Sequence, residues 1–209
     1  MLTRVWTGSV RPEWKLTVSR TEATAEPVAV LADTSDESLV AECLAGRRDA
    51  FDVIVERHRR NVYQLCYRFV GNHEDASDLA QDVFIRAYRG LGKFKQQSSL
   101  GTWLYRIGVN VCLNRVAVKT PRPVPLDHDN VLRSREETPA DALLRGERTA
   151  EVRAAISRLP KKQRATLVLR VYHELPHEQI AGILGSSVGA VKANFFHALK
   201  NLKKLLNEP

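Results

Sequence analysis

The stretch Ser98–Lys119, SSLGTWLYRIGVNVCLNRVAVK, decides how this chain is read. At about 100° per residue it predicts a helix carrying two stripes. Leu100, Leu104, Ile107 and Val111 form an apolar stripe, and Ser98, Ser99 or Thr102 can cap the N-terminus. Beside it run Trp103, Arg106, Asn110, Asn114 and, at the far end, Ala117. Indole and guanidinium planes stack on unpaired bases, and carboxamides donate to and accept from base edges. Arg115 and Lys119 follow as phosphate partners. A plainer reading fits the same residues, with Trp103 as a core anchor and the polar groups facing solvent. The helix alone leaves both open.

Working upstream, the loop GLGKFKQQSSLG places Lys93 and Lys95 on either side of Phe94, which extends a single-strand surface or plugs the core. The helix before it, His73 to about Gly90, has an apolar arc of Ala76, Leu79, Ala80, Val83, Phe84, Ala87 and Tyr88. Opposite stand Asp75, Asp78, Gln81, Asp82 and Arg89, with Ile85 in their midst. An apolar centre with a charged rim is the pattern of a protein-docking face, and a solvated helix face fits the same residues. Acid concentrated on a basic protein repels DNA and attracts a basic protein surface. Earlier still, Asp49 is expected to cap a helix bearing Phe51, Ile54, Val55, His58, Val62, Leu65 and Phe69 and ending at Gly71. His58 sits at the edge of that face as a packed histidine. DESLVAECLAG, from Ser35 or Asp36, makes a short helix stopped at Gly46. Residues 1–35, with Trp6 and Trp14, show no sustained period and are expected to be a flexible leader.

Downstream of Lys119 the chain turns proline-rich (Pro121, Pro123, Pro125, Pro139), the pattern of a linker over 120–138. A second domain, 139–209, follows, with Thr138 and Pro139 as cap and first helical residue. Leu143, Leu144, Val152, Ile156 and Leu159 point inward from its first helix. Ala165, Val168, Leu169 and Tyr172 do so from the next, after Pro160. HEQIAGILGSSVGAVKANFFHALKNLKKLL then gives a short helix over Pro176–Leu184, a turn at Gly185 and a longer helix from Ser187, a helix-turn-helix. Ala181 is small where the two would cross, and Ile180, Ile183, Leu184, Val191, Phe195, Leu199 and Leu202 are expected to hold the pair together. Gly189, Lys192, Ala193, Phe196, His197 and Lys200 face outward, with Lys203 and Lys204 trailing, a basic face that fits a major groove, although an ordinary helical hairpin has the same turn.

The whole predicts an all-α chain of two small helical domains, 36–119 and 139–209, joined by a flexible linker. Its 209 residues carry a net charge of +8, with 44% apolar and 27% charged residues. A pI near 9.6 fits a polyanionic partner. No apolar run reaches the length of a membrane span or signal-peptide core, so a cytoplasmic protein is expected. Cys43, Cys66 and Cys112 lie at apolar helical positions and fit buried, reduced thiols. His58 and Cys66 lack the further ligands of a zinc site. No phosphate-cradling glycine loop, nucleophile elbow or H-E-x-x-H appears, so no enzyme, metal or cofactor is expected. A flexible linker of roughly 20 residues spans about 25 Å on average, too loosely to fix two DNA sites. A rigid partner must hold both modules, and base stacking by Trp103 requires an opened duplex.

These blocks resemble the extracytoplasmic-function (ECF) sigma factors of bacterial RNA polymerase. AFDVIVERHRRNVYQLCYRFVGNHEDASDLAQDVFIRAY and SSLGTWLYRIGVNVCLNR are similar to the family's region 2, and HEQIAGILGSSVGAVKANFFHALKNLKK to its region 4. The resemblance implies that Asp78, Gln81, Asp82 and Ile85 contact the β′ coiled coil, with the β subunit as a further partner in the polymerase core. It places Trp103, Arg106, Asn110 and Asn114 on the melted −10 region, with Lys93, Lys95 and Arg115 beside them. Ser187, Gly189, Lys192, Ala193, Asn194, His197 and Lys200 would read the −35 element. It further implies a stress-response role under an anti-sigma factor. Asn194, His197 and Leu199 stand where the family often has arginines. A stand-alone helix-turn-helix regulator would need a receiver domain, yet residues 36–119 lack strand alternation. A protein-only adaptor explains Ile85 but not Trp103 or the basic second domain.

Overall fold

The computed structural model describes residues 34–118 and 139–207, the side chains of 116–118 and 139–147 excepted. The leader up to residue 33 and the linker expected from the sequence, with Thr138, therefore lie outside the described residues, as do the side chains of Leu143 and Leu144. Eight α-helices are described, with no strand among the described residues: α1 Asp36–Leu44, α2 Asp49–Val70, α3 His73–Gly90, α4 Leu100–Val118, α5 Pro139–Ser157, α6 Lys161–Val171, α7 His177–Leu184 and α8 Val188–Asn207. A 3-10 turn, Leu91–Lys93, follows α3 within the stretch expected to be loop.

Local chemistry sets the boundaries. Ser35 caps α1 by accepting from Ser38 N at 3.3 Å, and Gly46 turns the chain at φ +100°. Asp49 does not cap α2 as its position suggests. Residue 48 fills that place in helical geometry without a side-chain bond, and Asp49 lies within the first turn, where its charge favours the helix dipole. Gly71 ends α2 in the left-handed region at φ +79°. Asn72 starts α3 by accepting from Asp75 N at 2.7 Å.

α2, α3 and α4 pack on one another with α1 laid against α2. Leu39, Ile54, Leu65, Phe69, Val83, Leu100 and Leu104 are fully or almost fully buried there. Tyr88 departs from the expected apolar arc: it is 49% exposed, its ring edge-on to Phe51 with centroids 4.9 Å apart. In the second half α8 packs against α5, α6 and α7. Val191 and Ala198 are buried on its inner side. Leu199, expected inward, is 45% exposed. The inner row runs Val191, Phe195, Ala198, Leu202 at steps of four, three and four, which rotates Leu199 about 100° away.

One apolar cluster runs unbroken from Leu39 through both halves to Val191. The halves thus meet directly, α4 against α7 and α2 against α5 and α6. This explains α4. Leu100, Leu104 and Val111 are buried as expected, and Ile107 only partly. Val109 and Cys112 are buried too, on the flank that Tyr105 shares at i, i+4 and i+7. A helix apolar nearly all round is one covered on more than one side.

Candidate nucleic-acid and protein interfaces

Ser99, of the three candidates, caps α4: its Oγ accepts from Thr102 N at 3.2 Å. Along the polar stripe Arg106, Asn110 and Asn114 are exposed. Trp103 is half-buried, its ring 5.1 Å from that of Phe94 at a 40° tilt. A Cβ at Gly90 would stand 3.6 Å from Trp103 Cζ2, an ordinary contact distance, so the indole lies beside the end of α3. Trp103 thus packs against Phe94 while part of its surface stays exposed. Phe94 is likewise half-buried, and Lys93 and Lys95 beside it are exposed.

Both arginines of this surface have protein acceptors. Arg106 Nη2 donates to the Gly182 carbonyl at 2.5 Å, across to the helix-turn-helix. Arg115 Nη2 donates to Asp75 Oδ1 at 2.8 Å, an exposed ion pair that phosphate can replace at little cost. Ala117 and Lys119 fall outside the described side chains.

On α3, Asp78, Gln81 and Ile85 are exposed, with Ile85 at 40%. Asp82 is half-buried and accepts Arg86 Nε on both carboxylate oxygens at 3.0 Å. Arg86 was not singled out by the sequence pattern, and it neutralises one end of the acidic face.

In the second half, Gly185 makes the turn at φ 58°, ψ 42°, the conformation that favours glycine. Ser187 Oγ caps α8 by accepting from Ala190 N at 3.2 Å. Ser187, Gly189, Lys192, Ala193, His197 and Lys200 are exposed, Phe196 is 65% exposed, and Asn194 is half-buried. A basic outer row with small residues at its start presents backbone and side chains to a groove.

The polar contacts that join the halves come largely from residues that periodicity did not mark. Arg164 of α6 is buried at 5% exposure. Its Nη2 donates to the Phe69 carbonyl in the last turn of α2, and its guanidinium lies 5.7 Å from the Phe69 ring centroid. Burial lowers its pKa, yet a guanidinium stays charged, and the negative end of the α2 dipole faces it. Tyr105 Oη lies 3.1 Å from His173 Nδ1. Burial raises the Tyr105 pKa and lowers that of His173 to about 4, with Arg68 adding to the latter, so a neutral imidazole shares this hydrogen bond with the tyrosine hydroxyl. Arg68 itself lies 4.2 Å over the Tyr172 ring.

Among the described residues no three His, Cys, Asp or Glu side chains are grouped as a metal site. His58 Nε2 bonds Asp36 Oδ2 at 2.9 Å, a partner that fits its packed role. Cys66 and Cys112 are buried free thiols, while Cys43 is only half-buried. The Cys66 thiol and burial hold the Cys112 pKa well above the usual thiol value. No described helix is long and apolar enough to cross a membrane.

Residues 54–120 match the Sigma-70 region 2 family and residues 149–202 the Sigma-70 region 4 family. The RNA polymerase sigma-H factor of Pseudomonas aeruginosa is 35% identical over 187 residues, spanning 85% of this chain and 96% of that protein. The ECF RNA polymerase sigma factor SigW of Bacillus subtilis is 34% identical over 173 residues, spanning 78% of this chain and 92% of that one. The chain belongs to the ECF sigma factors. This sigma factor also shares its fold with CnrH, solved in complex with the cytosolic domain of CnrY. The TM-score is 0.60 at 26% identity, over 82% of this chain and 97% of that one. As a sigma factor it is a promoter-directing transcription initiation factor.

Proposed function

We propose that this sigma factor docks on RNA polymerase core through the α3 face, with Asp78, Gln81, Asp82 and Ile85 against the β′ subunit, and that the β subunit supports the second half. Residues 36–119 act as the core-binding and −10 module and 139–209 as the −35 module. Trp103, Arg106, Asn110 and Asn114 engage the opened −10 strand, with Lys93, Lys95 and Arg115 on its phosphates. Ser187, Gly189, Lys192, Ala193, Asn194, His197 and Lys200 face the −35 duplex. The protein works in the cytoplasm, without catalysis of its own, on stress-response promoters under an anti-sigma factor. CnrH, solved with a partner's cytosolic domain bound, supports that last assignment.

One observation carries this reading. A single chain of the family presents an aromatic and amide stripe suited to unpaired bases on α4 and a basic, small-residue groove face on α8. The test is transcription in vitro with purified core enzyme on a genomic library, followed by sequencing of the start sites. Starts that share two upstream elements are expected. Tight, selective duplex binding by the chain alone, with no initiation when core is added, would overturn the reading.

A further inference from the structure

The second half carries a cluster of cations used by neither the groove face nor the polymerase face. Six arginines and lysines, and no acid, occur between Val152 and His173. Three of them, Arg158, Lys161 and Lys162, are exposed around the turn that joins α5 to α6. Among the described residues no carboxylate pairs with any of the three. Their placement also runs against the local electrostatics. Lys161 and Lys162 open α6, whose first turn holds no acidic residue and whose N-cap, Pro160, makes no side-chain bond. The positive end of a helix dipole favours anions and disfavours cations. Local rules of this kind are broken mainly at functional or strained sites, and no residue of this turn has a positive φ to strain it.

The anion that suits this cluster is not the −35 duplex. Asn201 of α8 donates to Gln163 Oε1 at 2.8 Å, which sets the start of α6 beside the far end of α8. Asn201 stands about 18 Å along the helix from Gly189, at 1.5 Å per residue. A major groove is about 8.5 Å deep. A duplex held by the first turns of α8 therefore leaves the cluster clear by more than the screening length of about 8 Å. A permanently held protein does not suit it either. Stable interfaces have an apolar centre, and no large apolar side chain is exposed between Ser157 and Gln163. Charge without such a centre speeds encounter and adds little lasting affinity.

We propose that the α5–α6 turn is a docking point for an acidic segment of a transient protein regulator, one that binds while α8 is on DNA. Arg158, Lys161 and Lys162 receive its carboxylates, and the lost helix-dipole stability is the cost of holding them there. The proposal rests on the assignment of α8 to the −35 duplex made above.

The experiment uses the full chain, with polyglutamate peptide as the acidic probe and backbone amide shifts as the readout. Shifts over residues 157–163 are expected, and they should persist when a promoter duplex occupies α8. The triple variant Arg158→Gln/Lys161→Gln/Lys162→Gln should bind the peptide about tenfold more weakly and keep its duplex affinity within about twofold. Its melting temperature should equal or exceed that of wild type, because two cations leave the start of α6. Lys192→Gln should do the reverse, weakening duplex binding and sparing the peptide. Shifts confined to α8, loss of the peptide on adding duplex, or unchanged peptide affinity in the triple variant would each overturn the proposal. A triple variant with weakened affinity for polymerase core would also overturn it, by making the cluster a polymerase contact. Peptide shifts at residues 157–163 with no duplex binding by α8 would uphold the docking point and overturn the −35 assignment instead.

Discussion

Arg106 Nη2 donates to the Gly182 carbonyl oxygen at 2.5 Å. The guanidinium in the middle of the stripe expected to meet unpaired bases is bound to the first helix of the helix-turn-helix. A hydrogen bond to a charged group is worth about 1.5–3 kcal/mol, and Arg106 is exposed, so water and phosphate compete for it. Promoter reading and domain packing draw on the same side chain.

Ile85→Asp should abolish co-purification with core polymerase while leaving thermal stability within about 0.5 kcal/mol, because an isolated, partly exposed isoleucine contributes little to the core. Ile85 is 40% exposed on the helix face opposite Val83 and Ala87. Retained co-purification at wild-type yield would remove α3 as the docking face.

Trp103→Ala should impair promoter opening more than closed-complex formation, by about 1–3 kcal/mol of lost base stacking. The ring's contacts with Phe94 and Gly90 mean that the alanine variant also loses packing. Trp103→Phe separates the two effects, since it keeps an aromatic face. Permanganate reactivity of promoter thymines is the readout, with the order wild type, phenylalanine, alanine expected. Equal reactivity in all three would leave Trp103 as a core anchor only.

Gly108→Ala tests the α2–α4 contact. A Cβ there would lie 2.7 Å from Leu65 Cδ2, and Leu65 is fully buried, with Val83 Cγ2 at 3.8 Å as well. Overpacking costs about 1–3 kcal/mol, against about 1 kcal/mol gained in helix propensity. A net loss of up to about 2 kcal/mol in chemical denaturation is expected. A variant as stable as wild type would show that α4 can shift freely.

Much of this was legible because several helices announce their ends locally. Gly71 and Gly185 mark left-handed stops, Ser99 and Ser187 are caps, and the α3 arc from Ala76 to Ala87 has a helical period with one wet side. What escaped is burial imposed from a distance. Val109 and Cys112 are buried on a flank of α4 beside its expected stripe, and a stripe argument assigns each helix only one inner face. Arg164 looks like a surface cation in sequence. It is buried because the end of α2, 95 residues away, supplies its acceptor. Leu199 erred the other way, an apolar residue one step past the inner row and left in water.

His173 makes the packing of the halves sensitive to acid. Burial, assisted by Arg68, lowers its pKa from the ordinary 6.5 to about 4, and Tyr105 Oη occupies Nδ1. In an opened or unfolded chain the imidazole regains water and titrates near its ordinary value. Between about pH 6.5 and 4 that form binds a proton which the packed form does not, so the packed form loses stability as pH falls through this window. The loss is at most about 3 kcal/mol, at 1.36 kcal/mol per pKa unit. Above pH 7 both forms are neutral at this site and the contribution is flat. Carboxylates also titrate near pH 4, so the measurement is a difference: unfolding free energy against pH for wild type and His173→Phe. The wild-type curve should fall more steeply between pH 6.5 and 4.5, and the two should run parallel above pH 7. Parallel curves throughout would mean that His173 is as wet in the packed chain as in the open one.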